Sequence, residues 1–474
     1  MSAFSSLEIN KRALLANRFA IDTTSNNVAN ANTPGYARRS PVLSQSDPLN
    51  RGGHMRGTGV LVSKLQNYRQ EFFDKEVRMT TSSKSGFQTD TQYLKRIETI
   101  LGEPTDQSIS NLITNFFNSF NDLASQPENS GYRQNAISNA EALTDRFNVT
   151  AEKFLETRND ALNEISANVK DANALIKEIA SLNKQIAQVK GELSNEAHTF
   201  LDKRELKLEK LSGLMNINVT YEDDGTANVF SNGTNLITKD KGANLQLNVT
   251  TDQTTGEKTA QIMAGSSSVD VQNGEFGTLM QHYNVTLDHQ DSSGDFSVAS
   301  ELNRFVTDMA SQVNGIIEQG YGMNDSGATP PGRSLFTNDT GDMSAFNIKI
   351  SEEIRTIPEN LPVSDAAGET GNAQIALQIA RLGENNTAID DQSFSEFYSN
   401  YIGKIGHASR SANNSLETAT LMSDQLNNQR ESVIGVNLDE EAINLVKYQK
   451  AFEASSRAVS VTNDILSTLV NIIR

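Results

Sequence analysis

The residues that most often do chemistry in proteins are few in this chain and do not form a known pattern. No HExxH pair of metal ligands occurs among the histidines, which are His54, His198, His282, His289 and His407. Cysteine is absent, so neither a thiolate nucleophile nor a Cys-ligated metal is available. His282 and His289 are seven residues apart near a predicted change from strands to a helix, where exposed loop histidines are a more ordinary interpretation than a metal site.

Motifs that bind phosphate or calcium are also missing. The sequence has neither the GxxxxGK[ST] nor the GxGxxG pattern of phosphate-binding loops. Asp223 and Asp224 precede Gly225 without the ligand spacing of a calcium loop, and they predict a hairpin turn instead. The stretch "GEFGT", Gly274 to Thr278, likewise predicts a turn. We therefore predict no catalytic, cofactor-binding or metal-binding residues, and a protein that is not an enzyme.

Length and composition describe a polar, acidic chain of several domains. It has 474 residues, 36% of them hydrophobic, and a formal net charge of −18. This charge disfavours nucleic acid and anionic membrane surfaces as partners, because both attract Lys and Arg. No apolar run approaches the roughly 18 residues of a membrane span, and the first residues lack the apolar region of a signal peptide. We expect a protein that is cytoplasmic, or that is exported by a route independent of such a signal.

The elements that organise the chain are long helices at its two ends. Over the first 31 residues an apolar side chain recurs every seven positions, which predicts a helix with a coiled-coil seam. The members of this N-terminal seam are Leu7, Leu14, Ile21 and Val28. Pro34 is expected to end the helix, and Pro34-Gly35 suits the two central positions of a type II turn.

The last helix repeats the pattern over a greater length. The members of this C-terminal seam are Leu438, Leu445, Phe452, Val459, Leu466 and Ile473. A companion line is formed by the positions three residues after each seam residue. It is less apolar than the seam, because Glu441, Ser455 and Thr462 are polar. Asn437 is a suitable N-cap residue, and Glu440 three positions on completes a pattern like a capping box.

Between the ends, the periodicity predicts a mainly α protein with an inserted antiparallel β domain. Helical patterns fill most of 51–214 and 291–435, whereas 215–290 contains short alternating segments separated by turn residues. Segments 1–50 and 436–474 would then pair as a terminal coiled-coil layer. A single heptad run more often marks an internal helix pair than an assembly seam, but two runs at opposite ends favour assembly.

Several stretches of the sequence resemble one family. "NNVANANTPGY", Asn26 to Tyr36, resembles the signature of bacterial flagellar rod, hook and hook-associated proteins, and Gly435 to Asn471 resembles their closing helix. Three internal stretches resemble the members found at the hook–filament junction. They are "NLITNFFNSFNDLASQPENSGYRQNAISNAEAL", "LDKRELKLEKLSGLMNINVTYEDDGTANVFSNG" and "LNRFVTDMASQVNGIIEQGYGMN".

The resemblance implies an architecture and a set of partners. In this family the terminal helices form an inner coiled-coil tube, the helical body forms a second layer, and β domains point outward. The turn residues Asn32, Thr33, Pro34, Gly35 and Tyr36 would lead the chain from the inner tube to the outer layers. The implied partners are a ring of identical subunits, the hook protein, a second junction protein and a flagellar export chaperone. The chain would leave the cell unfolded, through the flagellar export channel and without a cleaved signal peptide, and be extracellular in the flagellum.

Two alternatives remain open at this point. One is another flagellar axial protein, namely a hook, distal rod or second junction protein. A hook protein is expected to have a larger β portion and to lack a long helical arm like the one predicted over 162–193. The other is a secreted coiled-coil adhesin or enzyme, which would need a pocket with converging polar groups.

Overall fold

The computed structural model describes residues 2–51, 54–103, 107–189, 195–253, 256–289, 296–339, 341–385 and 388–473. The chain begins with helix α1, Ser2–Ala29, which ends two residues before the predicted limit. Four short strands follow and form an extended hairpin. Within it, β1 pairs with β4 and β2 pairs with β3, both antiparallel. Their bounds are β1 Arg39–Gln45, β2 Leu49–Arg51, β3 His54–Arg56 and β4 Val60–Asn67.

This hairpin differs from the sequence prediction, which assigned 1–50 to a coiled-coil layer and the next residues to a helical body. Its strands lie against α1, and Gly59 permits a close approach: a Cβ there would be 3.3 Å from Ile9 Cα. Pro41 and the glycines between the strands obscure the two-residue alternation that normally reveals a strand. These strands therefore depend on packing against α1, which the local sequence pattern does not reveal.

The next part of the chain is helical, as predicted. Its elements are α2 Glu71–Leu101, α3 Ile109–Ser125, α4 Ser130–Val189 and α5 Asn195–Leu214. α2 stops at Gly102, whose left-handed backbone (φ 65°) suits a glycine C-cap, and α3 begins at Ser108, whose side chain accepts a hydrogen bond from the Asn111 amide. The apolar line of the predicted arm is buried on α4 at Ile165, Ala172 and neighbouring positions.

A β unit lies along α4. It consists of a four-stranded antiparallel sheet, in the order β5-β6-β7-β8, and a three-stranded sheet, in the order β11-β10-β9. The strands are β5 Asn218–Tyr221, β6 Ala227–Ser231, β7 Thr234–Thr238, β8 Lys241–Gly242, β9 Leu245–Thr251, β10 Lys258–Ala264 and β11 Ser267–Val269. The Asn173 side chain of α4 exchanges two hydrogen bonds with the Leu245 backbone, at 2.7 and 2.8 Å. The predicted arm is thus covered by the β unit.

The last part of the predicted β segment 215–290 is not β. Gly274–Gln281 forms helix α6, and His282–Thr286 continues it as a π-helix. The interpretation of "GEFGT" as a turn is therefore wrong. Two glycines give this short segment a weak intrinsic helix propensity. Tertiary packing therefore determines whether it forms a helix or a turn. α6 lies against α2, where Thr278 Oγ1 donates a hydrogen bond to the Gly86 carbonyl at 3.2 Å.

The chain then returns to helices, with one small sheet inside the predicted helical body. The elements are α7 Val298–Ile317, β12 Phe336–Asn338, β13 Ile348–Ile350, α8 Glu352–Thr356, a 3₁₀ turn Pro358–Asn360 and α9 Gln374–Leu382. Two long helices finish the chain, α10 Phe394–Ile434 and α11 Leu438–Ile473. Ser393 and Glu396 form a capping box at the start of α10.

One continuous apolar core joins α2 to α10 and the strands of the β unit. Within the described residues, none of its members comes from α1 or α11. The terminal helices therefore form a separate layer, attached to the body by other contacts. In the described ranges, no helix has the length and apolar character needed to cross a bilayer.

Gly242 tests the packing of the β unit on α4. A Cβ at this position would lie 2.5 Å from Ile176 Cγ2, which is a steric overlap. We expect Gly242→Val to lower the free energy of unfolding by about 1–3 kcal/mol, because it overpacks this contact. Denaturant unfolding followed by circular dichroism measures the change. Gly403→Val is the control, since a Cβ there meets no atom within 4 Å, and equal stability losses in the two variants would contradict the contact.

Candidate functional site

The two terminal helices pair with each other and run antiparallel. Asn27, near the end of α1, donates a hydrogen bond to Glu441, near the start of α11, at 2.9 Å. This bond sets the register along the pair. The ends of the chain therefore meet, as the two heptad patterns predict.

Small and polar side chains form the most buried positions of these two helices. On α1 the buried line contains Ala16, Ala20 and Thr23, and it ends at Asn27. On α11 the most buried positions are Glu441 and Thr462, at 2% and 7% exposure. Both belong to the companion line that the sequence analysis described as weak. The Glu441 carboxylate can be buried because it accepts hydrogen bonds from the Asn27 and Arg38 side chains.

The predicted seam residues lie beside this line and are not fully enclosed. The half-buried members are Leu7, Leu14, Ile21, Leu445, Phe452, Val459 and Leu466. Val28 and Leu438 are exposed, so within one chain they do not form the contact expected of a seam. Ile473 belongs to α11, but its side chain lies outside the described residues. A single chain thus leaves both apolar seams partly open.

The turn after α1 forms at the expected residues. The Tyr36 amide donates to the Thr33 carbonyl at 3.1 Å, and Gly35 has φ +78°, which favours glycine. A Cβ at Gly35 would also lie 3.3 Å from Leu206 Cβ on α5. Asn32, Thr33 and Pro34 are exposed, whereas Tyr36 is half-buried. The turn therefore places its last residues against the helical body.

Asn27 connects the turn to both helices. Its side-chain oxygen accepts hydrogen bonds from Tyr36 Oη at 2.8 Å and from the Arg39 amide at 3.2 Å. Its side-chain nitrogen donates to the Arg39 carbonyl at 2.8 Å as well as to Glu441. An amide suits this position because it both donates and accepts. Burial raises the pKa of Tyr36, although Arg39 opposes the shift, and the hydroxyl stays available as a donor.

Arg38 joins the start of α11 to the same junction. Its side chain forms ion pairs at 2.8 Å with both Glu440 and Glu441, and its amide donates to the Ile434 carbonyl at 2.9 Å. Burial alone lowers the pKa of Arg38, but the two carboxylates outweigh it and raise the pKa above its usual value. Asn437 accepts hydrogen bonds from the Asp439 and Glu440 amides, in agreement with the predicted N-cap.

A buried charge network fixes this junction to the body. Asp202 of α5 accepts hydrogen bonds from Arg39 at 2.5 Å and from Arg69 at 3.2 Å. Arg69 also pairs with Asp74 at 3.0 Å and donates to the Gly35 carbonyl at 2.7 Å. Burial raises the pKa of Asp74, and Arg69 only partly offsets that effect. The turn, the strand after it and the start of α2 are thereby held on α5.

The sequence analysis did not single out most of these anchoring residues. Asn27 lies inside the quoted motif, and Glu441 was noted only as a polar interruption. Arg39 and Asp202 are 163 residues apart, so no local pattern links them. The charged residue Glu441 within a heptad line is a signal that the sequence does contain, because a buried charged group needs a partner.

The structure also shows where the histidines and acidic residues considered as possible metal ligands lie. Across the described ranges, no group of three or more His, Cys, Asp or Glu side chains is arranged to hold a metal. His282 is not an exposed loop residue, as the sequence suggested, because it is 2% exposed in the π-helix and stacks on Tyr93. Its Nε2 lies 3.0 Å from Asp90 Oδ1. His282 is buried because residues 274–286 form a helix that packs on the body and not an exposed loop.

Comparisons with known proteins agree with this arrangement. A sequence model described as "Flagellar hook-associated protein FlgK helical domain" matches residues 94–336, just over half of the chain. Models described as "Flagellar basal body rod FlgEFG protein C-terminal" and "Flagella basal body rod protein" match 432–472 and 7–36. The last two cover the terminal helices and the turn.

Relatives matched over nearly their whole length are also flagellar hook-associated proteins. The chain is 26% identical to the flagellar hook-associated protein 1 of Bacillus subtilis, with 99% of this chain and 98% of that protein covered. It is 23% identical to the protein of the same name from Salmonella typhimurium, over 97% of this chain and 98% of that protein.

A solved structure shares the fold. The flagellar hook junction protein FlgK from Burkholderia pseudomallei superposes with a TM-score of 0.62 at 14% identity, covering 76% of this chain and all of that one. With the family model spanning more than half of the sequence, the chain belongs to the family of the flagellar hook-associated protein FlgK.

Proposed function

We propose that this chain is the structural subunit that joins the hook of the bacterial flagellum to its filament, and that it assembles through α1 and α11 into a ring of identical copies. The observation that carries the proposal is the half-open pair of apolar seams on two terminal helices that lie outside the core. Each helix is apolar enough to bind a further helix and is not satisfied within one chain.

Exposed apolar side chains on the same helices support assembly. Phe4 and Leu15 on α1, and Ile443, Val446 and Val461 on α11, are all more than half exposed. Soluble monomers rarely leave large contiguous apolar surface in water, and such surface commonly marks a protein contact. Burying these side chains between copies would stabilise a ring by roughly 25 cal/mol for each Å² of apolar surface removed from water.

The proposal assigns a position in the assembly to each segment of the chain. Segments 1–50 and 436–474 form the inner assembly layer, 51–214 and 291–435 form the helical body, and 215–290 forms the outer unit. The hook protein lies on one side of the ring and a second junction protein on the other. A flagellar export chaperone binds the chain before export through the flagellar channel, and the assembled protein is extracellular. Its role is mechanical and not enzymatic.

Deletion of the gene tests the proposed function. Cells without the gene are expected to build hooks that carry no filament and to release filament subunits into the medium, because the hook offers no surface for the next junction protein. Electron microscopy of hook–basal bodies and a blot of the medium measure both effects. Filaments of normal number and length in the deletion strain would refute the proposal, and expression of the intact gene is the control for recovery.

A further inference from the structure

His198 lies at the interface between the hairpin 39–67 and helix α5. Its half-buried ring projects from α5 and donates a hydrogen bond to the backbone of Leu65, a buried residue of β4. Its charged neighbours are Arg39 of β1 and Asp202, one turn further along α5. The ring nitrogen Nδ1 is buried and has no hydrogen-bond partner within the part of the chain that the structure describes. His198 therefore belongs to the surface that holds the hairpin on the body.

The ion pairs around this interface already carry an excess of positive charge. Within the described residues, they join four guanidinium groups to three carboxylates. The guanidinium groups are those of Arg39, Arg69, Arg78 and Arg204, and the carboxylates are those of Asp74, Asp202 and Glu205. Asp202 is already shared by Arg39 and Arg69. A proton on His198 would therefore add a second unbalanced positive charge to a poorly hydrated site, which is unfavourable.

The direction of the pH effect follows from this environment. Burial and the neighbouring Arg39 lower the pKa of His198 below its usual 6.5, although Asp202 and the hydrogen bond to Leu65 oppose the shift. In a chain whose hairpin has left α5, the ring is hydrated and its pKa returns to about 6.5. Between 6.5 and the lower pKa of the closed form, the open form binds a proton that the closed form does not. The closed form therefore loses stability as the pH falls through this window, by at most about tenfold in the closed-to-open ratio for each pH unit.

We propose that His198 makes the contact between the hairpin and α5 pH-sensitive, so that the contact is closed while the ring is neutral and opens when the ring takes up a proton. On opening, the β1–β4 strands separate from α5. The continuous core stays folded, because none of its described members comes from the hairpin or from the terminal helices. This behaviour belongs to the single chain and does not depend on the proposed function.

Other titrating groups act over part of the same pH range and have to be separated from His198. Burial raises the pKa of Asp74, so protonation of Asp74 stabilises the closed form as the pH falls and opposes the opening. Burial lowers the pKa of His289, but this ring lies against Phe346 and Asp288. A reporter on the hairpin, compared between histidine variants, is therefore more informative than a global unfolding curve.

Fluorescence energy transfer between two dyes measures the opening, because the chain has no cysteine of its own to interfere with labelling. Gln45→Cys, at the end of β1, and Lys210→Cys, on α5, supply exposed attachment sites. We expect the transfer to fall reversibly as the pH decreases from about 7.5 to about 5.5. With His198→Gln, which stays neutral and can still donate to Leu65, the transfer should stay constant. His407→Gln, at an exposed position of α10, is the matched control and should respond as the intact chain does.

Nuclear magnetic resonance of the histidine rings in the intact chain gives a second measurement, which does not depend on the folding of His198→Gln. Substituting the histidines one at a time assigns the signals. A ring pKa of His198 below 6.5, together with a pH response that only His198→Gln removes, supports the proposal. A ring pKa at or above 6.5, a constant transfer in the intact chain, or an equal response in His198→Gln overturns it. Loss of the core's circular dichroism over the same pH range also overturns it, because the opening would then be global unfolding.

Discussion

Replacing Asp202 with leucine is expected to lower the free energy of unfolding by about 3–5 kcal/mol, because it removes the carboxylate that two buried or nearly buried guanidinium groups share. The side chains of Arg39 and Asp202 are only 3% and 9% exposed, so water cannot replace the lost partner. Urea unfolding followed by circular dichroism gives the magnitude. Limited proteolysis should show earlier cleavage near the turn after α1, since that turn is held on α5 through Arg39 and Arg69.

A surface ion pair of similar length supplies the control. Arg96 and Asp160 also lie 2.5 Å apart, but both side chains are more than two-fifths exposed. Asp160→Leu should therefore cost at most about 1 kcal/mol, because water solvates the remaining charge. A second control, Asp202→Leu combined with Arg39→Met, should recover part of the loss by removing a buried charge. Equal effects of Asp202→Leu and Asp160→Leu would mean that the buried network does not hold the junction.

Phe452→Asp is expected to abolish assembly while leaving the helical body folded. Phe452 is half-buried in the middle of the α11 seam, and in the register set by Asn27 and Glu441 it lies near Ala16 of α1. If copies bury this seam, the substitution removes up to roughly 1.5–3 kcal/mol of apolar burial in each copy. It also places a carboxylate where desolvation is unfavourable. Every copy in a ring carries the same change, so the effects accumulate.

The measurement compares monomer stability with the ability to support filaments. The variant should be soluble, should show the unfolding transition of the unmodified body, and should fail to restore filaments to a deletion strain. Ser460→Asp, at an exposed position of α11 outside the seam, is the control and should restore them. Loss of the body's unfolding transition in Phe452→Asp would place α11 in the core. Normal filaments with this variant would show that the seam has no role in assembly.

The sequence predicted the helices well where a long, regular pattern was present. α11 begins after the predicted N-cap residue Asn437, and the turn at Gly35 has the positive φ that Pro-Gly favours. Such features depend on neighbours within about four residues, so they are visible in the sequence. Short elements were predicted less well. The hairpin over 39–67 and the helical segment 274–286 depend on packing against α1 and α2, which no local pattern records.

By itself, the sequence determined that the chain has two long terminal helices with apolar seams, a turn after the first of them, and an inserted β unit. The tertiary structure decided which positions of those helices are buried: Ala20 and Glu441 are buried, whereas Val28 and Leu438 are exposed. It also decided that Asp202 anchors the junction. The physical reason is distance along the chain. Helical periodicity is a local property, but close packing and the pairing of buried charges depend on residues that only folding brings together.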